Sequence, residues 1–134
     1  MKFARIVYGI AAVYGFIVVP PLYFLIDAIG KQAPPPVTHP EFYYGFAGVA
    51  TLWQVLFVLI ARDPIRYRPI MLITIPAKLV YTVPVVILYL QGHANLTIVL
   101  PSLADPVFAV LFALAYLATR GAASSPQEAF PSSR

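Results

Sequence analysis

Three ionisable side chains have the types needed for proton transfer or ion pairing and lie in or beside apolar sequence: Lys78, Asp105 and Glu41. An amine and two carboxylates held together can share a proton, form an ion pair or polarise a bound polar group. Lys78 falls near the middle of the apolar block 69–90, where a lone lysine costs ~2.5–3.5 kcal/mol on insertion scales. It should point inward, towards an acid, a carbonyl or water, and Asp105 is the obvious partner by charge. Pro76 and Pro84 flank it. Each proline removes a helix hydrogen bond and frees a carbonyl one turn earlier, near Leu72 and Val80. A broken helix beside a charge can mark a binding cavity. The plainer alternative is a snorkelling lysine or a structural ion pair.

The two carboxylates carry a competing reading. Ser102-Leu103-Ala104-Asp105 and Thr38-His39-Pro40-Glu41 both fit the capping-box spacing, in which the acid serves only to finish a helix N-terminus. The functional alternative groups Glu41 and Asp105 with Asp27, His39 and His93 at the mouth of an outward-facing cavity, but their spacing fixes no metal geometry. No metal ligand set, catalytic set or cofactor is assigned. Ser102 has no histidine placed to activate it, and the absence of cysteine excludes thiolate chemistry.

Two further residues are deep and polar or amphipathic. Gln54 is expected to hydrogen-bond between helices. Trp53 lies too deep for an interfacial belt; it either lines a lipid or quinone cavity or packs in the core. Arg62, Arg66 and Arg68 form a compact basic turn around Asp63-Pro64, suited to anionic headgroups or a docking partner.

The elements that must position these groups are four apolar blocks, 3–26, 42–61, 69–90 and 96–119. A membrane-spanning helix needs about 20 mostly apolar residues. Sixty per cent of the 134 residues are hydrophobic and ten per cent charged, far from a soluble domain. The expected fold is all-α: four transmembrane helices in an up-down-up-down bundle, occupying 1–120, with a disordered Ser/Ala/Pro-rich cytoplasmic tail at 121–134. The net charge of +4 reflects topology, because the basic residues gather at helix ends; a nucleic-acid partner is not expected. Lys2, Arg5, the arginine turn, Arg120 and Arg134 fall on one side, which places both termini in the cytoplasm. Lys2 and Arg5 ahead of an apolar run mimic a signal peptide, but Pro20, Pro21 and the bulky 22–26 follow where a cleavage site would stand, so a retained helix is expected.

The joint from Asp27 to Glu41, with Pro34-Pro35-Pro36, is predicted to be an extended polyproline strap. Ala11, Gly15, Gly45, Gly48, Ala109 and Ala113 are candidates for close helix contacts. Tyr23, Tyr43, Tyr44 and Tyr89 make one aromatic belt, Tyr67 and Tyr116 the other. Asn95-Leu96-Thr97 matches a glycosylation sequon that is short enough to arise by chance. No internal repeat supports an inverted-repeat transporter.

Three segments, Glu41-Phe42-Tyr43-Tyr44-Gly45-Phe46, Ala61 to Pro69, and Asp105 with Phe108 to Tyr116, resemble small four-helix bacterial membrane proteins of the broad DoxX-like group. The resemblance implies a bacterial inner-membrane location and, for some members, a subunit of a quinone-linked oxidoreductase; no cofactor ligand carries over. Three functions follow in order. The first is a small accessory or scaffold subunit binding lipid or a larger membrane complex. The second is a homo-oligomeric small-molecule or ion transport module centred on Lys78. The third is a membrane enzyme or quinone-linked redox subunit using Glu41, Asp105 and Lys78.

Overall fold

The computed structural model describes residues 1–121; the proposed tail, apart from Gly121, lies outside them. Among the described residues there are six α-helices and one 3-10 turn: α1 (Lys2–Val18), the 3-10 turn (Pro20–Phe24), α2 (Ile26–Gln32), α3 (Pro40–Arg62), α4 (Arg68–Leu90), α5 (Leu96–Ser102) and α6 (Ala104–Ala118). Four stretches are long and apolar enough to cross a membrane: Lys2–Phe24, Pro40–Arg62, Arg68–Leu90 and Leu96–Ala118. All four blocks read from the sequence are thus helical, and the chain has the architecture of a multi-pass membrane protein.

Prolines account for the departures from continuous helix. α1 stops at Val18 and hands over to a 3-10 turn that begins at Pro20, because Pro20 and Pro21 cannot donate to the preceding turn. The fourth span divides at Leu103 into α5 and α6. Pro106 has no N–H for the carbonyl of Ser102, four residues earlier, so the ladder lapses there. The polyproline strap is not what forms: Ile26–Gln32 is helical, and residues 33–39 are irregular, with bends at 33–35 and at 38. Asn95 reaches back to this region, its Nδ2 donating to the Gln32 carbonyl at 3.4 Å, so the sequon asparagine joins the two connections at the end of the bundle away from the arginine turn.

α1 packs along α3, α4 along α6, and α1 against α6. One apolar cluster combines Ala4, Val7 and Tyr8 from the start of α1, Phe57 and Ile60 from the end of α3, Met71 from the start of α4, and Phe112 and Ala115 from the end of α6. Successive spans therefore run in opposite directions. α3 and α4, though joined by a short turn, meet through long side chains: Phe46 stacks on Tyr81 with ring centroids 5.3 Å apart. The outward faces carry exposed Ile10, Ile17, Leu52, Val80 and Val110, as a lipid-facing surface requires.

Small residues act at fewer positions than their spacing implied. Ala11, Gly15 and Ala109 are buried, whereas Gly45 is exposed and a Cβ there would meet nothing within 4 Å. At Gly15 the space a Cβ would need is filled by the Gln54 carboxamide. At Gly48 it is approached to 2.9 Å by the Tyr23 hydroxyl oxygen. Tyr43 donates to the Leu22 carbonyl at 2.7 Å, and the rings of Tyr23 and Tyr44 stack at 5.8 Å. These belt tyrosines therefore also fasten the 3-10 turn to α3. We predict that Gly15→Leu overpacks the α1–α3 contact and destabilises the detergent-solubilised protein by about 1–3 kcal/mol. Gly45→Ala should leave thermal stability unchanged or slightly raised, since it replaces an exposed helical glycine with a better helix former.

Candidate functional site

The chemistry-bearing residues inside the bundle lie along one side of α4. Thr74, Lys78 and Thr82 recur every four residues, which puts them on a single face about 6 Å apart along the axis. Each engages a different part of the protein, and together they make three polar crosslinks at three depths.

The middle crosslink is the ion pair. Lys78 Nζ donates to Asp105 Oδ1 at 2.9 Å, with side-chain exposures of 14% and 21%. Lys78 lies near the middle of the 23-residue α4, and Asp105 in the first turn of α6. The ammonium also sits 5.3 Å from the Phe57 ring centroid and 5.4 Å from that of Phe108. A cation between a carboxylate and two aromatic rings gains both Coulomb and cation–π attraction. The pairing expected from the sequence is present, and it ties α4 to α6 with a ring from α3 closing over it.

On the side of α5, Thr82 Oγ1 donates to the Ser102 carbonyl at 2.8 Å. That carbonyl is the one Pro106 leaves without its helical donor, so the threonine supplies a hydrogen bond that the backbone cannot. Ser102 does not cap α6. Its own hydroxyl donates to the Val99 carbonyl at 2.7 Å, and the α6 N-cap, Leu103, makes no side-chain cap bond. The capping box expected at Ser102–Asp105 is thus replaced: the break in the helix turns Asp105 towards Lys78 instead of back along the chain.

Towards the arginine-rich end, the Tyr8 hydroxyl lies 2.6 Å from Thr74 Oγ1. Thr74 uses its own proton on the Met71 carbonyl at 2.8 Å, so Tyr8 is the donor in the crosslink. The Tyr8 ring is fully buried and stacks on Phe112 at 4.2 Å with only 8° between planes. This contact was not singled out in the sequence, although Tyr8 and Thr74 each lie six residues inside the end of their helix. Equal depth on two helices, with the period of four running through Thr74, Lys78 and Thr82, was the available signal.

The remaining candidates are dispersed. Glu41 is far from Lys78 in role: it pairs with His39 Nδ1 at 3.0 Å on the exposed rim, with exposures of 68% and 63%. Thr38 makes no cap, since His39 is the α3 N-cap residue and no side-chain cap bond forms. No group of three or more His, Cys, Asp or Glu that could hold a metal ion occurs among the described residues. Gln54 is buried, but its Nε2 donates within its own helix, to the Ala50 carbonyl at 2.8 Å, and not to another helix. Its Oε1 has no partner. Trp53 is half-buried, 6.2 Å from the Phe57 ring. Its outer side borders a shallow apolar depression with Val49, Leu52 and Leu56.

At the arginine-rich end, the α3–α4 joint is a turn in which Asp63 Oδ1 accepts the Arg66 backbone N–H at 3.1 Å. Arg62 and Arg66 are exposed. Arg68 lies over the Tyr116 ring with Cζ 3.9 Å from its centroid. No protein-family model, curated protein or solved structure matches this chain.

The geometry predicts a characteristic stability pattern. Lys78→Met or Asp105→Leu alone strands a charge inside the bundle and should cost about 3–5 kcal/mol. The double variant should cost clearly less than the sum of the two, in thermal unfolding in detergent; additive losses would refute the coupling. Tyr8→Phe should cost only about 0.5–1.5 kcal/mol, because Thr74 keeps the Met71 carbonyl as its acceptor.

Proposed function

We propose that this protein is a small accessory or scaffold subunit of a bacterial inner membrane, with both termini in the cytoplasm, which binds lipid or a larger membrane complex. The observation that carries this reading is the engagement of Lys78 with Asp105. Among the described residues they are the only charged side chains in the middle of the bundle, and each is the other's partner, enclosed by Phe57 and Phe108. A pathway-lining lysine would face a cavity; this one joins two helices. What remains for interaction is the surface: apolar helix faces and a basic rim made of Lys2, Arg5, Arg62, Arg66 and Arg68. The positive-inside rule assigns that rim to the cytoplasm. The resemblance to DoxX-like proteins is compatible with a subunit role, and fold likeness alone supplies no activity.

Native mass spectrometry after gentle extraction from the source membrane tests this. We expect other protein subunits at fixed stoichiometry, retained equally by the Lys78→Met/Asp105→Leu double variant if it folds. A homo-oligomer without other subunits, whose reconstituted ion or solute flux disappears in that folded double variant, would overturn the scaffold reading in favour of transport.

A further inference from the structure

The basic rim contains one arginine that differs from its neighbours. Arg62 and Arg66 are exposed, but Arg68 is half-buried, and its Nε is enclosed without a hydrogen-bond partner. Its guanidinium is held against the Tyr116 ring, which fixes the plane and covers one face. No ion pair joins Lys2, Arg5, Arg62, Arg66 or Arg68 to a carboxylate among the described residues. The only acid in this joint, Asp63, directs Oδ1 to a backbone N–H. The terminal nitrogens of this guanidinium have no carboxylate to meet among the described residues, and they stand at the end of a candidate membrane-spanning helix.

We propose that Arg68, braced on Tyr116, is the centre of a binding site for the phosphate of an anionic glycerophospholipid. The proposal deepens the function given above by assigning a ligand to one point of the basic rim, and it rests on that rim lying at the membrane surface. Two features select a lipid. A phosphodiester offers paired anionic oxygens to the fork formed by the two terminal nitrogens of the guanidinium, since Nε is enclosed by the protein. Leu72, one helical turn deeper on the same side of α4 as Arg68, is half exposed at 50% and provides apolar surface for an acyl chain. Arg62 and Arg66 in the same turn favour a headgroup of net negative charge and oppose the cationic choline of a zwitterionic lipid.

The test uses the purified full chain in neutral detergent, offered equal amounts of phosphatidylglycerol and phosphatidylcholine of the same acyl composition, with bound lipid read by native mass spectrometry. Wild type should retain phosphatidylglycerol preferentially. Arg68→Gln should lower that retention about tenfold, the scale of one charge-assisted hydrogen-bonded pair. Arg68→Lys keeps the charge but loses the fork and should also fall several-fold; it carries the test if Arg68→Gln does not fold. Arg66→Gln, which removes the same charge from an exposed position, should change retention by no more than about twofold. Equal losses at positions 66 and 68 would overturn the site in favour of diffuse attraction, and unchanged retention in both Arg68 variants would overturn it outright. Inorganic phosphate at millimolar concentration should not displace the lipid; displacement together with no preference between lipids would reassign the site to free phosphate. Because the scaffold reading depends on co-purified subunits and this one on lipid bound to the isolated chain, the two can fail separately.

Discussion

A chain that crosses a bilayer has no water with which to satisfy its polar groups, so each must find a partner inside the protein. Here that constraint converges on α4. The helix presents Thr74, Lys78 and Thr82 in line, and the three residues engage Tyr8 on α1, Asp105 on α6 and the Ser102 carbonyl at the end of α5. Apolar contact alone gives little preference between helix–helix and helix–lipid packing. Polar crosslinks of defined geometry do, because a sliding or rotated helix would leave a charge and two hydroxyls facing hydrocarbon. The stripe therefore sets the register of α4 against its neighbours more strongly than the apolar residues between its members.

The prolines belong to the same arrangement. Pro106 leaves the Ser102 carbonyl without a helical donor, Thr82 supplies one, and the resulting break lets α6 start at Ala104 with Asp105 in its first turn. A carboxylate at a helix N-terminus is favoured by the helix dipole, and here it also faces Lys78. One backbone interruption thus places the negative member of the ion pair. α4 itself continues as helix through Pro76 and Pro84, so its own prolines do not open the cavity that their flanking of Lys78 suggested. The helix break falls in the fourth span instead of the third.

The legible parts of the fold are those determined by composition over long windows or by scarce residue types. The four spans follow from apolar length, and Asp105 stands out as the charge partner of a mid-span lysine, but its capping-box spacing leaves the pairing open until the start of α6 decides it. The arginine turn was visible as a charge cluster. What escaped the sequence depends on geometry between distant segments. Tyr8 resembles any interfacial tyrosine until α4 brings Thr74 to its hydroxyl. Gln54 looked like an interhelical donor, but the glycine at position 15 admits its carboxamide into a notch where its own helix supplies the nearest acceptor. Both capping boxes failed for a shared reason. The pattern of a hydroxyl three residues before an acid is short, and a proline nearby moved the helix start by one residue, which separates the hydroxyl from the N–H groups it would cap.

The distribution of polar groups separates two tasks along the membrane normal. In the interior, charges and hydroxyls meet one another and so contribute to the uniqueness of the packing; among the described residues the interior polar atom left without a partner is Gln54 Oε1, an acceptor facing α1. At the arginine-rich rim the balance reverses: five basic side chains lack carboxylate partners among the described residues, and one of them is held rigid by an aromatic ring with a donor enclosed. Unmatched charge inside a bilayer is destabilising, but at the headgroup level it is compensated by the membrane itself. Interaction chemistry is therefore available at that rim and on the apolar faces, while the interior polar residues act by fixing how those surfaces are presented.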